Sequence, residues 1–219
     1  MNVLLFIMML LFGLSCPLIA YKLMKKDGLL IWIAVAIIIA NIAEIKCADI
    51  FGLSMTLGNV AFASIFLATD ILNEKFGSDE AKKGIKIGAF SIITFTLFIQ
   101  LILLFIPSAE DIMNVSLNNV FNLSIRTSIA SVVMYIISNL IDVKLYSYLK
   151  NKYPKKLWLR NNVSTIVSQC LENILFVIIA FIGVYDLSFI FELIITMCII
   201  ETVIAVCDTP FIYLAKKLK

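Results

Sequence analysis

Long apolar runs alternate with short polar segments along the whole chain. Each run approaches the ~20 residues that a helix needs to cross the hydrocarbon core of a bilayer. Strands of a membrane barrel would alternate polar and apolar residues, and none of these runs does so. The pattern therefore predicts an all-α membrane bundle of about seven transmembrane helices, at Val3–Tyr21, Leu29–Ile45, Leu57–Leu72, Ile87–Ile106, Ile125–Leu145, Val163–Val184 and Ser188–Cys207.

These spans predict a single integral membrane domain over residues 1–219, a six-helix core with an additional N-terminal helix. The longest linkers, near Pro107–Phe121 and Ser147–Asn162, are too short to bury a core of their own. The first span has an alternative interpretation as a secretory signal peptide. Its basic residues follow the apolar stretch instead of preceding it, which favours a retained helix.

Basic residues fall in every second gap between the spans. They follow the first, third and fifth spans and end the chain, whereas the other gaps hold mainly acidic residues, among them Glu110, Asp111 and Asp186. Cytoplasmic loops of membrane proteins carry the excess of lysine and arginine. We therefore expect an N-terminus outside and a C-terminus in the cytoplasm, in a bacterial inner membrane.

Composition excludes several classes of function. With 62% hydrophobic residues and a mean hydropathy of +1.03, the chain is more apolar than a soluble domain. Its net charge of +3 is spread over the inner loops. This distribution indicates how the chain is oriented in the membrane, and it does not indicate a surface that binds nucleic acid. It has no histidine, no CxxC pair and no phosphate-binding glycine loop, so we expect no metal, no cofactor and no ATP hydrolysis.

Charged and polar residues within the spans are the candidates for function. A charge at mid-membrane costs at least ~2.5 kcal/mol, so it should face the bundle interior or a watery cavity. Glu172 and Glu201 lie near the middle of the last two spans, and Gln169 shares the helix face of Glu172. Arg126, near the outer end of the fifth span, either extends to the headgroups or turns inward toward a carboxylate.

Three aspartates, Asp70, Asp142 and Asp208, each close a span that runs from outside to inside. Polar residues are common at such helix ends, so a capping role and a gating role are both open. Glu74 lies on the same helix face as Asp70, with Lys75 beside it to offset the two carboxylates.

Four segments resemble the queuosine precursor transporter family, whose members are also described as vitamin-uptake-like transporters. The segments are NIAEIKCADIFGLSMTLGN, ASIFLATDILNEKFG, LWLRNNVSTIVSQCLENILFVIIAFIGV and CDTPFIYL, and together they cover about Asn41 to Leu214. The resemblance implies an inner-membrane importer of 7-deazaguanine bases, which feed tRNA modification. It implies no ATP-binding motif in the chain itself.

Compared with the pattern of the family that it resembles, this sequence differs at two positions within the spans. Glu201 stands where the family usually has lysine, and Glu172 stands where it usually has aspartate. The first change favours a cationic precursor such as 7-aminomethyl-7-deazaguanine or queuine over the neutral 7-cyano-7-deazaguanine. Alternatively, Glu201 pairs inside the bundle with Lys46 or Arg126, or stays protonated.

A planar base with several polar edge groups binds well between aromatic rings and amide side chains, so we expect a pocket of such residues. Glu172 can accept two hydrogen bonds from the amino and ring N–H edge of such a base. The predicted substrate-binding residues are Asn41, Arg126, Asn139, Gln169, Glu172 and Glu201, and the predicted gating or helix-end acids are Asp70, Glu74, Asp142 and Asp208.

Two rival functions belong to different classes. One is a substrate-capture subunit of an ATP-driven uptake complex, which co-purification with ATPase subunits would favour. The other is a membrane enzyme, which the sequence disfavours because it has no reactive constellation of side chains. The expected partners are a small-molecule substrate and the lipid bilayer, with no nucleic acid; a homo-oligomer and the coupling ion stay open.

Overall fold

The protein is described by a computed structural model, which covers residues 1–121, 125–183 and 185–218; the side chains of residues 53–54 and 125–127 lie outside the description. Over the described residues the chain forms seven helices and one β-hairpin. In chain order these are α1 (Asn2–Ala43), β1 (Cys47–Ile50), β2 (Leu53–Thr56), α2 (Gly58–Phe76), α3 (Ser78–Leu103), α4 (Asn114–Phe121), α5 (Ile125–Lys152), α6 (Leu157–Phe181) and α7 (Leu187–Lys217). The predicted helix bundle is confirmed.

Helix α1 is two antiparallel arms and not one rod. A straight helix of its 42 residues would be about 63 Å long. Yet the Asn2 side-chain amide donates to the backbone carbonyl of Asp49, beyond the other end of α1, at 3.2 Å. The reversal occurs at Lys25, whose φ of 53° and ψ of −130° are not helical. Residues 2–24 and 26–43 thus correspond to the first two predicted spans.

Five helices, α1, α3, α5, α6 and α7, are long and apolar enough to cross a membrane. Helix α2 has 19 residues but carries Asp70, Glu74 and Lys75. It is almost wholly buried and packs against α1, α3, α5 and α7, so its polar face is covered by protein. Counting the two arms of α1 separately, seven helical segments match the seven predicted spans, and the protein is a multi-pass membrane protein.

The outer surface of the bundle is apolar, and much of its interior is polar. Large side chains such as Leu4, Phe98 and Phe191 are more than half exposed. Such a surface would drive a soluble protein to aggregate, but in a bilayer it faces acyl chains. The buried polar side chains lie mainly on α2, α5, α6 and α7, so these four helices surround the polar interior of the bundle.

The β-hairpin and α4 are absent from the sequence-based prediction. Strands β1 and β2 pair antiparallel, with Cys47 opposite Thr56 and Ile50 opposite Leu53. The turn residues Phe51 and Gly52 have φ of 55° and 80°, the positive values that a tight hairpin turn requires. Both additions lie in the gaps between predicted spans, where hydropathy carries no information on local structure.

Helix ends also differ from the predicted spans. Helix α5 continues to Lys152, beyond the predicted end at Leu145, and α6 begins at Leu157, before the predicted start at Val163. The extra turns are rich in lysine, arginine and asparagine, which a hydropathy pattern assigns to loops. The apolar blocks therefore mark the hydrocarbon-embedded part of each helix and not its full length.

Candidate functional site

A cavity of about 100 Å³ lies within the bundle. Room of this size holds several waters or part of a small ligand. Its lining residues come from α1 and the residue that follows it, and from α2, α3, α5, α6 and α7: Ala40, Asn41, Glu44, Asn59, Phe62, Ile92, Ser131, Glu172, Asn173, Phe176, Met197 and Glu201.

The cavity is acidic. Glu44, Glu172 and Glu201 all line it, and they are close enough to interact electrostatically. Among the described side chains, no lysine or arginine lines it. The Asn173 amide donates to Glu201 Oε2 at 2.6 Å, and the Thr56 hydroxyl donates to Glu44 Oε1 at 2.7 Å. Neutral donors therefore hold two of the carboxylates, and no described cation in the lining offsets the three acids.

Aromatic rings form part of the wall. Phe62 and Phe176 line the cavity. Phe62 also packs edge-to-face on Tyr135, with 6.2 Å between ring centroids. Tyr135 is fully buried, and within the described part of the chain its hydroxyl has no hydrogen-bond partner. Aromatic faces beside carboxylates and amides suit a flat heterocycle with a polar edge.

The structure brings together three of the six predicted substrate-binding residues. Asn41, Glu172 and Glu201 line the cavity, whereas Asn139 and Gln169 are buried in the bundle outside the lining. The oxygen atoms of the Asn139 and Gln169 amides accept no hydrogen bond from any residue that the structure describes. Arg126 falls in the first turn of α5, and its side chain lies outside the described residues.

The helix-end placement of the three aspartates is wrong. Helices α2, α5 and α7 all continue beyond Asp70, Asp142 and Asp208, and the three side chains are fully buried. The error arises because the polar and basic turns that follow each aspartate resemble a loop in the sequence. A capping role is therefore not available to them, and they lie in helix interiors.

These aspartates meet one face of α6. The Thr165 hydroxyl lies 3.4 Å from both Asp70 Oδ2 and Asp142 Oδ1. The Asn161 amide donates to Asp208 Oδ1 at 2.5 Å. Four helices thus converge on one buried polar cluster, which we call the aspartate cluster (Asp70, Asp142, Asp208, with Asn161 and Thr165).

Glu74 lies beyond the aspartate cluster, in a network of cations. Its carboxylate is 2.6 Å from Arg160 Nη2, 3.5 Å from Lys150 Nζ and 3.4 Å from Lys216 Nζ. Burial opposes ionisation, but the Arg160 guanidinium and the two ammonium groups outweigh it and hold the pKa of Glu74 below its usual value. This network, the Glu74 network, ties α2 to α5, α6 and α7.

Sequence reasoning missed the polar face of α6. Arg160, a buried member of the Glu74 network, was assigned to a cytoplasmic loop with the other basic residues of that gap. The signal was present, because polar residues recur in adjacent pairs every four positions along this helix, which places them on one face. The pairs are Arg160 and Asn161, Ser164 and Thr165, Ser168 and Gln169, Glu172 and Asn173.

Polar groups therefore extend along the inside of the bundle. Each of α2, α5, α6 and α7 contributes a residue to the cavity and another to the aspartate cluster. Between the two, the buried and unpartnered polar atoms of Tyr135, Asn139 and Gln169 lie on α5 and α6. In a membrane bundle, such an interior is typical of a path for a polar solute or ion.

Comparisons with known proteins also indicate a transporter. A family described as "Putative vitamin uptake transporter" matches residues 56–215. A protein of Bacillus subtilis (strain 168), named "Probable queuosine precursor transporter", is 37% identical over 203 residues, which cover 92% of this chain and 89% of that protein. No solved structure matches the chain.

Proposed function

We propose that this chain, which belongs to the vitamin uptake transporter family, carries a cationic 7-deazaguanine precursor of queuosine across the bacterial inner membrane. Family membership makes the chain a transporter and not an enzyme. The relative's name supports a queuosine precursor as cargo. The choice among precursors rests on the chemistry of the cavity.

One observation carries that choice: three glutamates line an aromatic cavity in which no described side chain is a cation. A carboxylate buried without a counter-charge either takes up a proton or binds a cation, and a cationic ligand keeps it ionised. The aminomethyl group of 7-aminomethyl-7-deazaguanine and the side-chain amine of queuine are protonated near neutral pH, because aliphatic amines are strong bases. The nitrile of 7-cyano-7-deazaguanine carries no charge.

We assign the roles in the cavity as follows. Glu172 accepts hydrogen bonds from the amino and ring N–H edge of the base, and Phe62 and Phe176 cover its faces. Glu201, held by Asn173, lies near Glu172 and receives the cationic amine. Asn41 supplies a further amide at the wall. The N-terminus is outside and the C-terminus is cytoplasmic, as the basic loops predict.

Competition for uptake of a labelled precursor tests this proposal. In liposomes that contain only this chain, the amine-bearing bases should compete at least about tenfold better than the nitrile, since a hydrogen bond to a charged group contributes roughly 1.5–3 kcal/mol. Glu201→Lys should abolish that preference. Glu192→Gln removes an exposed carboxylate from the same helix and should leave the preference unchanged.

Two results would contradict the proposal in different ways. Equal competition by the nitrile in the wild type and in Glu201→Lys would remove Glu201 from cargo selection. Binding without uptake in these liposomes, followed by uptake once ATPase subunits are added, would favour the substrate-capture subunit instead.

A further inference from the structure

The aspartate cluster contains more acceptors than donors. Asp70, Asp142 and Asp208 are fully buried, and each has one carboxylate oxygen without a hydrogen-bond partner among the described residues. The Oδ1 atom of Asn161 is likewise buried and unpartnered, while the Nδ2 atom of the same amide donates to Asp208. Four oxygen atoms in one buried place therefore lack a donor, and in native proteins such groups are nearly always satisfied.

No lysine or arginine of the described residues forms an ion pair with the cluster. The ion pairs of the described residues involve Glu74, Asp79 and Glu80, and none involves the three aspartates. Two ionised carboxylates cannot share the Thr165 hydroxyl and interact side by side without strong repulsion in a low-dielectric interior. The cluster therefore requires a bound cation or at least one proton.

The surroundings of the cluster favour a proton. Among the described residues, no group of three or more histidine, cysteine, aspartate or glutamate side chains is arranged to hold a metal ion. Helix α6 contributes only neutral hydroxyl and amide groups to the cluster. Tyr146 is a further titratable group that interacts with Asp70, and its hydroxyl donates to Glu74 and accepts from Arg160. Gly84 of α3 lies against apolar side chains only, Leu30 and Ile33 of α1 and Leu72 of α2.

The same helices carry the cluster and the cavity. Asp70 and Asn59 are on α2, Asp142 and Ser131 on α5, Asp208 and Glu201 on α7, and Thr165 and Glu172 on α6. A movement of these helices relative to one another that opened the cavity would also change the spacing of the carboxylates. Protonation lowers their mutual repulsion, so it favours the arrangement in which they are close.

We propose that the aspartate cluster is the proton-coupling site of the transporter. It takes up a proton from the outer side with the cargo bound and releases that proton on the cytoplasmic side, so that a proton gradient drives accumulation. The proposal rests on the proposed function for its cargo. The proton site itself does not depend on which base is carried.

Accumulation against a gradient gives the first test. In liposomes that contain only this chain, an inward pH gradient should drive accumulation of up to about tenfold for each pH unit and each proton carried. A protonophore should abolish it. Asp142→Asn should reduce the accumulation ratio to about one while cargo exchange across the membrane persists at a lower rate. Asp79→Asn, an exposed aspartate outside the cluster, should behave as the wild type.

The outcomes separate the two proposals. Accumulation by Asp142→Asn equal to the wild type, or accumulation that follows a sodium gradient instead of the pH gradient, would overturn the proton site. A wild-type protein that neither binds nor exchanges any 7-deazaguanine base would overturn the proposed function instead.

A cargo-independent measurement covers that last case, and Asp70→Asn serves as a second variant if Asp142→Asn fails to fold. Infrared difference spectra of the purified protein at varied pH should show a protonated-carboxyl band that Asp70→Asn or Asp142→Asn removes and Asp79→Asn retains. Identical bands in the wild type and in both cluster variants would refute the proton site.

Discussion

Replacing Glu74 by glutamine tests whether the Glu74 network holds the four inner helices together. Arg160 and Glu74 have side chains only 1% and 9% exposed and lie 2.6 Å apart. Removing one partner of a buried ion pair costs about 3–5 kcal/mol, because the other charge stays buried and unpaired. Arg160 keeps its hydrogen bond to the Pro154 carbonyl at 2.9 Å, so we expect the lower end of this range.

The other two ion pairs of Glu74 add less. Lys150 and Lys216 are 34% and 51% exposed, and exposed pairs typically contribute below about 1 kcal/mol. A loss of about 3 kcal/mol corresponds to a fall of roughly 6–12 °C in the midpoint of thermal unfolding for a chain of this size. The measurement is thermal unfolding of the purified protein in detergent, followed by its helical signal.

Two variants serve as controls. Asp79→Asn removes the carboxylate of an exposed pair, in which Asp79 is 94% exposed, and should change the midpoint little. Glu74→Gln combined with Arg160→Gln removes both buried charges and should be less unstable than the sum of the single changes, by about 1–3 kcal/mol. Additive losses, or a Glu74→Gln midpoint within about 1 °C of the wild type, would refute the role of the network.

Low pH should weaken the ion pair between Glu74 and Arg160 and so lower the stability of the protein. The pKa of Glu74 is held below its usual value of 4.5, so the contribution of the carboxylate to stability is present above that pH. It is lost as the pH falls through the lowered pKa of the folded state. Because the glutamine side chain does not titrate in this range, Glu74→Gln should flatten that part of the stability profile.

The number and order of the long apolar helical segments could be predicted from the sequence because lipid imposes a strong constraint on composition, whereas the short α4 could not. Even the reversal inside α1 was predicted, since the polar gap at residues 22–28 separates two apolar blocks. The hairpin of β1 and β2 could not be predicted in this way. Its short strands follow local turn geometry at Phe51 and Gly52, which a hydropathy pattern does not detect.

Residues of the candidate site could be predicted only where their depth in the membrane was enough to identify them. Glu172 and Glu201 stood out because each interrupts a long apolar run. The aspartate cluster depends on how α2, α5 and α7 pack around α6, and spacing along the chain carries no information on that packing. Asp142 therefore looked like the end of a helix. Arg160 looked like one more basic residue of a loop, although its side chain is buried against Glu74.

The remaining predictions concern topology and cargo binding. A reporter fused after Lys219 should behave as cytoplasmic, because the basic residues concentrate in alternate gaps; a periplasmic signal would overturn the assigned orientation. Glu172→Gln should lower cargo uptake at least about tenfold while the protein stays in the membrane at normal level, since the amide keeps the volume but loses a charged acceptor worth roughly 1.5–3 kcal/mol. Wild-type uptake by that variant would reduce Glu172 to a packing residue of the cavity wall.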